Sequence, residues 1–203
     1  MSDLRIVICL AGLPGSGKTT LGRQLAKELS ELGVFGPVIM LDRDVLKSTL
    51  KNDAIEEPVA AKVSYSLLWD IAKEFLVNQN FSLIIDTPCF FPQIVQSCEK
   101  LAESRNEKQL PTIVKCVLCA THYDLRLKRL QTRENMVSQW SSDRPRPKEE
   151  FEQLFSHLTL NNSFRLYFSQ AEVFSETFAK LKEYLTTNGT QQVADLQTSI
   201  EFF

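Results

Sequence analysis

Apolar residues occur along this chain in two arrangements: short unbroken runs, and longer stretches in which they recur every three or four positions. The runs are "RIVICLA" (5–11), "PVIMLD" (37–42), "FSLIIDT" (81–87), "TIVKCVLCA" (112–120) and the shorter "AEVFS" (171–175), and each predicts a buried strand. Between them the helical spacing prevails. Leu21, Leu25 and Leu29 repeat every four residues, and Gly33 supplies a C-terminal stop. Pro58 opens the next long helix, where Val59, Val63, Leu67, Leu68, Ile71, Phe75 and Leu76 are expected to form one apolar face. Strands that alternate with helices imply a parallel sheet covered on both faces. The expected fold class is therefore α/β, a three-layer α/β/α domain on a five-stranded parallel sheet.

After the fourth run the pattern changes to "DLRLKRLQTRENMVSQWSSDRPRPKEEFEQL", dense in charge and broken by Ser-Ser-Asp and two prolines. It predicts a helix, a connection and a second helix, a lid-like arm over about 126–150. "FAKLKEYL" then gives a terminal helix ended by Asn188-Gly189. Residues 189–203 have no period and read as a tail, in which Phe202 and Phe203 either stay loose or dock on the body. One domain over 1–188 is expected, since no linker composition divides it.

Length and charge narrow the classes. A chain of 203 residues can bury one core, and 23 basic against 25 acidic side chains lack the positive field of a general nucleic-acid binder. A local basic cleft remains compatible with that balance. No apolar run reaches the roughly 20 residues of a membrane span, and "MSDLR" lacks the layout of a secretory signal, so a cytoplasmic protein is expected. Cys9, Cys116 and Cys119 fall within predicted strands and are expected as buried thiols. The Cys116-x-x-Cys119 pair points to opposite sheet faces and is no metal or redox motif. Asn188-Gly-Thr is a glycosylation sequon by letters only. Oligomeric state leaves no signal.

The chemistry starts between the first strand and the first helix. Gly12-Leu13-Pro14-Gly15-Ser16-Gly17-Lys18-Thr19, followed by Thr20, matches the phosphate-binding loop G-x-x-x-x-G-K-[ST]. Glycines let backbone N–H groups turn toward phosphate oxygens, and the helix N-terminus adds partial positive charge. Lys18 is expected on the β- and γ-phosphates and the Thr19 hydroxyl on Mg²⁺. Asp86, at the end of "SLIID", is the expected second metal-binding group. Asp42, Arg43 and Asp44 emerge at the end of the second strand. A carboxylate there, Asp42 or Asp44, can take the proton of an attacking hydroxyl, while Lys47, three residues on, holds an anionic part of the acceptor. Either carboxylate can instead be a helix cap. Arg126, Arg129, Arg133, Arg144 and Arg146 lie within 21 residues of the arm and can neutralise a phosphoryl-transfer transition state. Phe90 and Phe91 are expected either to wall the acceptor crevice or to lie in the core.

With "GLPGSGKTT", "LDRDVLK", "LIIDT" and "RLQTR…DRPRP" in hand, the chain resembles the P-loop kinases of the polynucleotide-kinase and zeta-toxin-like group, which share the nucleoside-monophosphate-kinase fold. The resemblance implies ATP and Mg²⁺, Asp44 as general base, and Arg129, Arg133 and Arg144 as lid residues. Lys47 stands where this group commonly has arginine, so the acceptor's anionic group differs or is absent. The implied activity is transfer of the γ-phosphoryl group of ATP to a hydroxyl of a small metabolite or nucleotide. The alternatives are a polynucleotide 5′-hydroxyl kinase and a non-catalytic nucleotide-dependent switch.

Overall fold

The computed structural model of the protein describes residues 3–132, 134, 147–158, 163–168 and 174–186. The chain begins with β1 (Arg5–Ala11), α1 (Lys18–Leu32), β2 (Val38–Asp42), α2 (Arg43–Asn52) and α3 (Glu57–Lys73), which runs into a π-helical turn at Glu74–Asn78. It continues through β3 (Ser82–Asp86), α4 (Pro92–Asn106), β4 (Thr112–Thr121), α5 (Tyr123–Thr132), α6 (Lys148–Leu154), β5 (Ser163–Phe168) and α7 (Phe174–Thr186). All pairings are parallel and the strand order is β2-β3-β1-β4-β5. This is the α/β arrangement that the alternating pattern requires.

The strands sort their side chains by parity. Val7, Cys9 and Ala11 face one layer with Leu83, Ile85, Cys116 and Leu118, where Leu68, Leu76, Ile94 and Phe155 cover them. Ile6, Ile8 and Leu10 face the other with Ile84, Val117 and Cys119, covered by Leu21, Leu25, Leu29, Leu181 and Leu185. Cys116 and Cys119 thus lie on opposite faces, as their spacing predicts. All five cysteines are buried and free. Within the first layer Cys9 donates to Cys89 Sγ at 3.5 Å, and hydrogen bonding with Cys116, Cys89 and Cys98 together with burial pushes its thiol pKa up, which leaves Cys9 a packing group.

Two elements depart from the pattern. The fifth strand is "SFRLYF", not "AEVFS": Phe174 and Ser175 begin α7 instead, and Ser163–Phe168 pairs with Cys116–Thr121. Ser163 and Arg165 break the apolar run of this edge strand, and the last two residues of "AEVFS" belong to a helix. The buried face of α3 is also offset. Ala60, Ser64, Leu68, Ala72 and Leu76 are buried at four-residue spacing, whereas Val59 is 50% and Leu67 37% exposed. Small residues let this helix approach its neighbours, and a count of large apolar side chains overlooks them. The end proposed at Asn188-Gly189 and the tail with Phe202 and Phe203 lie outside the described residues.

The two edges of the sheet differ in kind. At the N-terminal edge Arg105 is fully buried and donates to Pro111 O at 2.9 Å, Thr112 Oγ1 at 3.1 Å, Asp3 O at 3.1 Å and Asn80 Oδ1. That guanidinium closes the foot of the sheet. The C-terminal edge carries the loop glycines and carboxylates, as expected of the crevice in an open parallel sheet.

Candidate active site

The loop from Gly12 to Thr19 is held open from behind. Arg126 Nε donates to Pro14 O at 3.0 Å, Arg129 Nη1 to Gly15 O at 3.3 Å and Thr121 Oγ1 to Ser16 O at 3.1 Å. Peptide planarity then turns the N–H groups of Gly15 and Gly17 to the opposite side, where those of Lys18 and Thr19 open the helix. Gly17 caps α1 with a φ of 93°. Lys18 Nζ reaches across to Leu13 O at 3.1 Å. The cradle is thus formed by the chain's own donors. Leu13 is buried and Thr20 exposed, so of the loop's flanks only Thr20 faces water.

Gly12 shows how little space the loop has. Its φ is +140°, and a Cβ there would lie 2.4 Å from the Cys119 carbonyl oxygen and 2.8 Å from Ser16 Oγ. Because the closest atom is backbone, Gly12→Ala must push the loop away from β4. The expected cost is about 1–3 kcal/mol of stability together with weakened nucleotide binding. Thermal unfolding and nucleotide titration of the variant check this; wild-type values for both would mean that the loop gives way freely.

Behind the loop stand the strand-end carboxylates. Thr19 Oγ1 donates to Asp86 Oδ2 at 2.6 Å. Burial pushes the Asp86 carboxyl pKa up, opposed by Lys18 and the Thr19 hydrogen bond. Asp42 is its register partner on β2. Burial, and next the negative charge of Asp86, push the Asp42 pKa up to about 6. Two carboxylates side by side with Lys18 as the nearby cation make a site that favours added positive charge. Among the described residues no group of three or more His, Cys, Asp or Glu forms a complete metal cage. One hydroxyl and one carboxylate suit a hard cation that keeps its waters and shares phosphate oxygens. Ser16 Oγ and Asp42 Oδ2 are buried without a hydrogen-bond partner, polar atoms left for a ligand to satisfy.

α2 starts at Arg43, and the two neighbouring carboxylates divide the labour. Asp42 is the cap: its side chain accepts from Asp44 N at 2.8 Å and Val45 N at 3.4 Å. Asp44 is relieved of that duty, with its side chain one-third exposed and 3.7 Å from Arg43 Nη1. Arg43 lies over the Tyr65 ring at 4.5 Å from the centroid. Tyr65, invisible in any motif, packs against the core and holds the Arg43 guanidinium over its ring. Lys47 is buried and its ammonium is engaged by Glu57 Oε1, while Glu57 Oε2 takes Lys51 at 2.7 Å. Lys47, expected to hold an anionic part of the acceptor, is met here by a carboxylate of α3. The two lysines hold the Glu57 pKa down to about 2.

The arginines separate as well. Arg126 is buried and braces Pro14, so it belongs to the loop's support and not to a moving arm. Arg129 reaches the loop itself, 3.5 Å from where a Cβ of Gly17 would sit. Arg133, Arg144 and Arg146 lie outside the described residues. Phe90 stacks with Phe155 at 5.8 Å in the core, whereas Phe91 is 61% exposed just before α4. Of the two, only Phe91 remains available to the crevice. Gly12 N donates to Pro88 O at 3.3 Å, tying this β3–α4 loop to the phosphate loop.

Thr121, Tyr65 and Glu57 are the site residues that sequence reasoning misses. Only Thr121, a polar residue closing an apolar strand beside the loop, left a local signal.

This fold and loop define a P-loop kinase-like domain, and the comparisons agree. Residues 7–159 match the AAA domain family, and the chain belongs to it. No curated protein matches the sequence. Among solved structures, the chain is similar to a candidate kinase from Chloroflexus aurantiacus (18% identity, 91% of this chain and 97% of that one, TM-score 0.60). It is also similar to Kti12 of Chaetomium thermophilum in complex with ADP-AlF3 (16%, 89% and 100%, 0.57). A third likeness is to the Mycobacterium tuberculosis APS kinase CysC in complex with AMPPNP and APS (15%, 90% and 98%, 0.55). At these identities the likeness concerns the fold. Among the described residues, no helix is long and apolar enough to cross a membrane.

Proposed function

We propose that the protein is an ATP-dependent kinase that moves the γ-phosphoryl group to a hydroxyl of a small metabolite or nucleotide. One observation carries the reading. Asp42 performs the helix cap, and Asp44, one-third exposed beside Arg43, lies near enough to Asp86 for its charge to push that carboxyl pKa up. A carboxylate that can take a hydroxyl proton beside the phosphate loop is what phosphoryl transfer requires and nucleotide binding alone does not. Solved relatives of the fold hold AMPPNP or ADP-AlF3, which supports a nucleoside triphosphate in this loop.

In this mechanism the loop amides and Lys18 hold the β- and γ-phosphates, releasing Lys18 from Leu13 O. Thr19 and Asp86 would hold Mg²⁺, which when bound screens the phosphate charge. Asp44 takes the proton of the acceptor hydroxyl as its oxygen attacks. The new O–P bond forms while the bond from the β,γ-bridging oxygen to γ-phosphorus breaks, and that oxygen leaves with the electron pair on ADP. Arg129, Arg133 and Arg144 neutralise the developing charge, and the slightly acidic chain favours a small acceptor over a polynucleotide. A cytoplasmic site of action accords with this chemistry.

The test is transfer of label from γ-labelled ATP in a metabolite extract, beside a 5′-hydroxyl oligonucleotide. Labelled small products are expected. Efficient labelling of the oligonucleotide would establish a polynucleotide kinase, and hydrolysis with inorganic phosphate as the sole labelled product a nucleotide switch.

A further inference from the structure

The mechanism leaves one ion cluster without a task. Lys47 lies three residues beyond Asp44 on α2, so the two share a helix face, and Lys51 follows one turn later. This pair of cations would suit a phosphate or sulfate group on an acceptor whose hydroxyl meets Asp44. The position is already filled. Glu57, the first residue of α3, sends one carboxylate oxygen to Lys47 and the other to Lys51. Its side chain is 52% exposed while that of Lys47 is 9% exposed, so the carboxylate sits on the solvent side of the buried ammonium. The third cation of this half of the crevice, Arg43, is spread over Tyr65 beside Asp44.

Lys47 and Lys51 thus meet Glu57, and Arg43 meets Asp44, carboxylates of the chain itself. An anionic acceptor reaches the two lysines only by displacing Glu57 from two charge-assisted contacts. A neutral acceptor meets no such penalty.

We propose that Glu57 is a specificity-determining residue: it plugs the anion position formed by Lys47 and Lys51, so the acceptor is an uncharged hydroxyl compound, a polyol or nucleoside without phosphate or sulfate at that end. The inference rests on the kinase reading for its function, but the plug itself can be tested without turnover. If the cluster served only to tie α2 to α3, removing Glu57 would loosen the helices and create no anion site.

In protein saturated with Mg-ADP, which occupies the phosphate loop, inorganic phosphate is titrated calorimetrically. Wild type is expected to show no saturable binding below about 10 mM. Glu57→Gln and Glu57→Ala are expected to bind phosphate at least about 10-fold more tightly, and the added Lys47→Ala change to abolish that gain. A saturable wild-type site that Lys47→Ala removes, or no gain in either Glu57 variant that still unfolds cooperatively, overturns the proposal. In parallel, label transfer compares adenosine with adenosine 3′-monophosphate and glycerol with glycerol 3-phosphate. The ratio of kcat/KM, neutral over phosphorylated, is expected to exceed about 10 in wild type and to fall at least about 10-fold in the variants. A wild-type preference for the phosphorylated member of either pair also overturns it. Absence of transfer to all four compounds counts against the kinase reading, and the phosphate titration then still decides the plug.

Discussion

Lys18→Ala is expected to lower turnover roughly 10²–10³-fold while leaving the fold intact, the loss typical of removing one preorganised donor from a developing negative charge. Stability is spared because the ammonium contributes a hydrogen bond to Leu13 O and an attraction for Asp86, neither of which shapes the loop. The loop's shape depends instead on Arg126, Arg129 and Thr121, which the substitution does not touch. Calorimetry with Mg-ATP, alongside thermal unfolding, checks the result. Unchanged affinity together with unchanged turnover would mean that the loop holds some other ligand. A collapse in melting temperature would instead make Lys18 part of the loop's scaffold.

That separation between scaffold and chemistry marks what the sequence reveals. The phosphate loop, β1, α1, the strand-end carboxylates Asp42 and Asp86, and the opposed faces of Cys116 and Cys119 are legible because each follows from local spacing. A strand's parity or a glycine's place in a turn depends on a few neighbouring residues. The plug on Lys47 is different in origin. Glu57 lies ten residues away across a helix–helix connection, and nothing in either segment announces the pairing. Tyr65 under Arg43 and Arg126 behind Pro14 were hidden for the same reason, since contacts between elements depend on how those elements dock. The offset face of α3 shows the limit of counting large apolar residues, because Ala60, Ser64 and Ala72 do the close packing there. The fifth strand escapes the sequence reading because Ser163 and Arg165 interrupt its apolar residues, which weakens the run signal that locates the other four.

Asp44→Asn is expected to retain nucleotide affinity while lowering acceptor phosphorylation roughly 10²-fold or more, because a general base acts on the acceptor hydroxyl and not on ATP. Asp42→Asn should differ in kind. Asparagine caps a helix about as well as aspartate, so the bonds to Asp44 N and Val45 N survive. What changes is charge beside Asp86. The Asp42 pKa is raised from its ordinary 3.8 to about 6, so the folded ligand-free protein holds that proton more tightly than the unfolded chain. Ionisation of Asp42 therefore costs stability progressively as pH rises from near 4 through 6, and the whole cost is present at pH 7.5. Asparagine escapes it. The variant should melt at a higher temperature than wild type at pH 7.5, with the gap closing as pH falls toward 4. Thermal unfolding at pH 4.5 and 7.5, set beside label transfer for both variants, gives a two-way readout. A mild Asp44→Asn with a crippled Asp42→Asn would assign proton transfer to the capping residue. A melting-temperature gap that does not vary with pH would show that neither burial nor the charge of Asp86 raises the Asp42 carboxyl pKa.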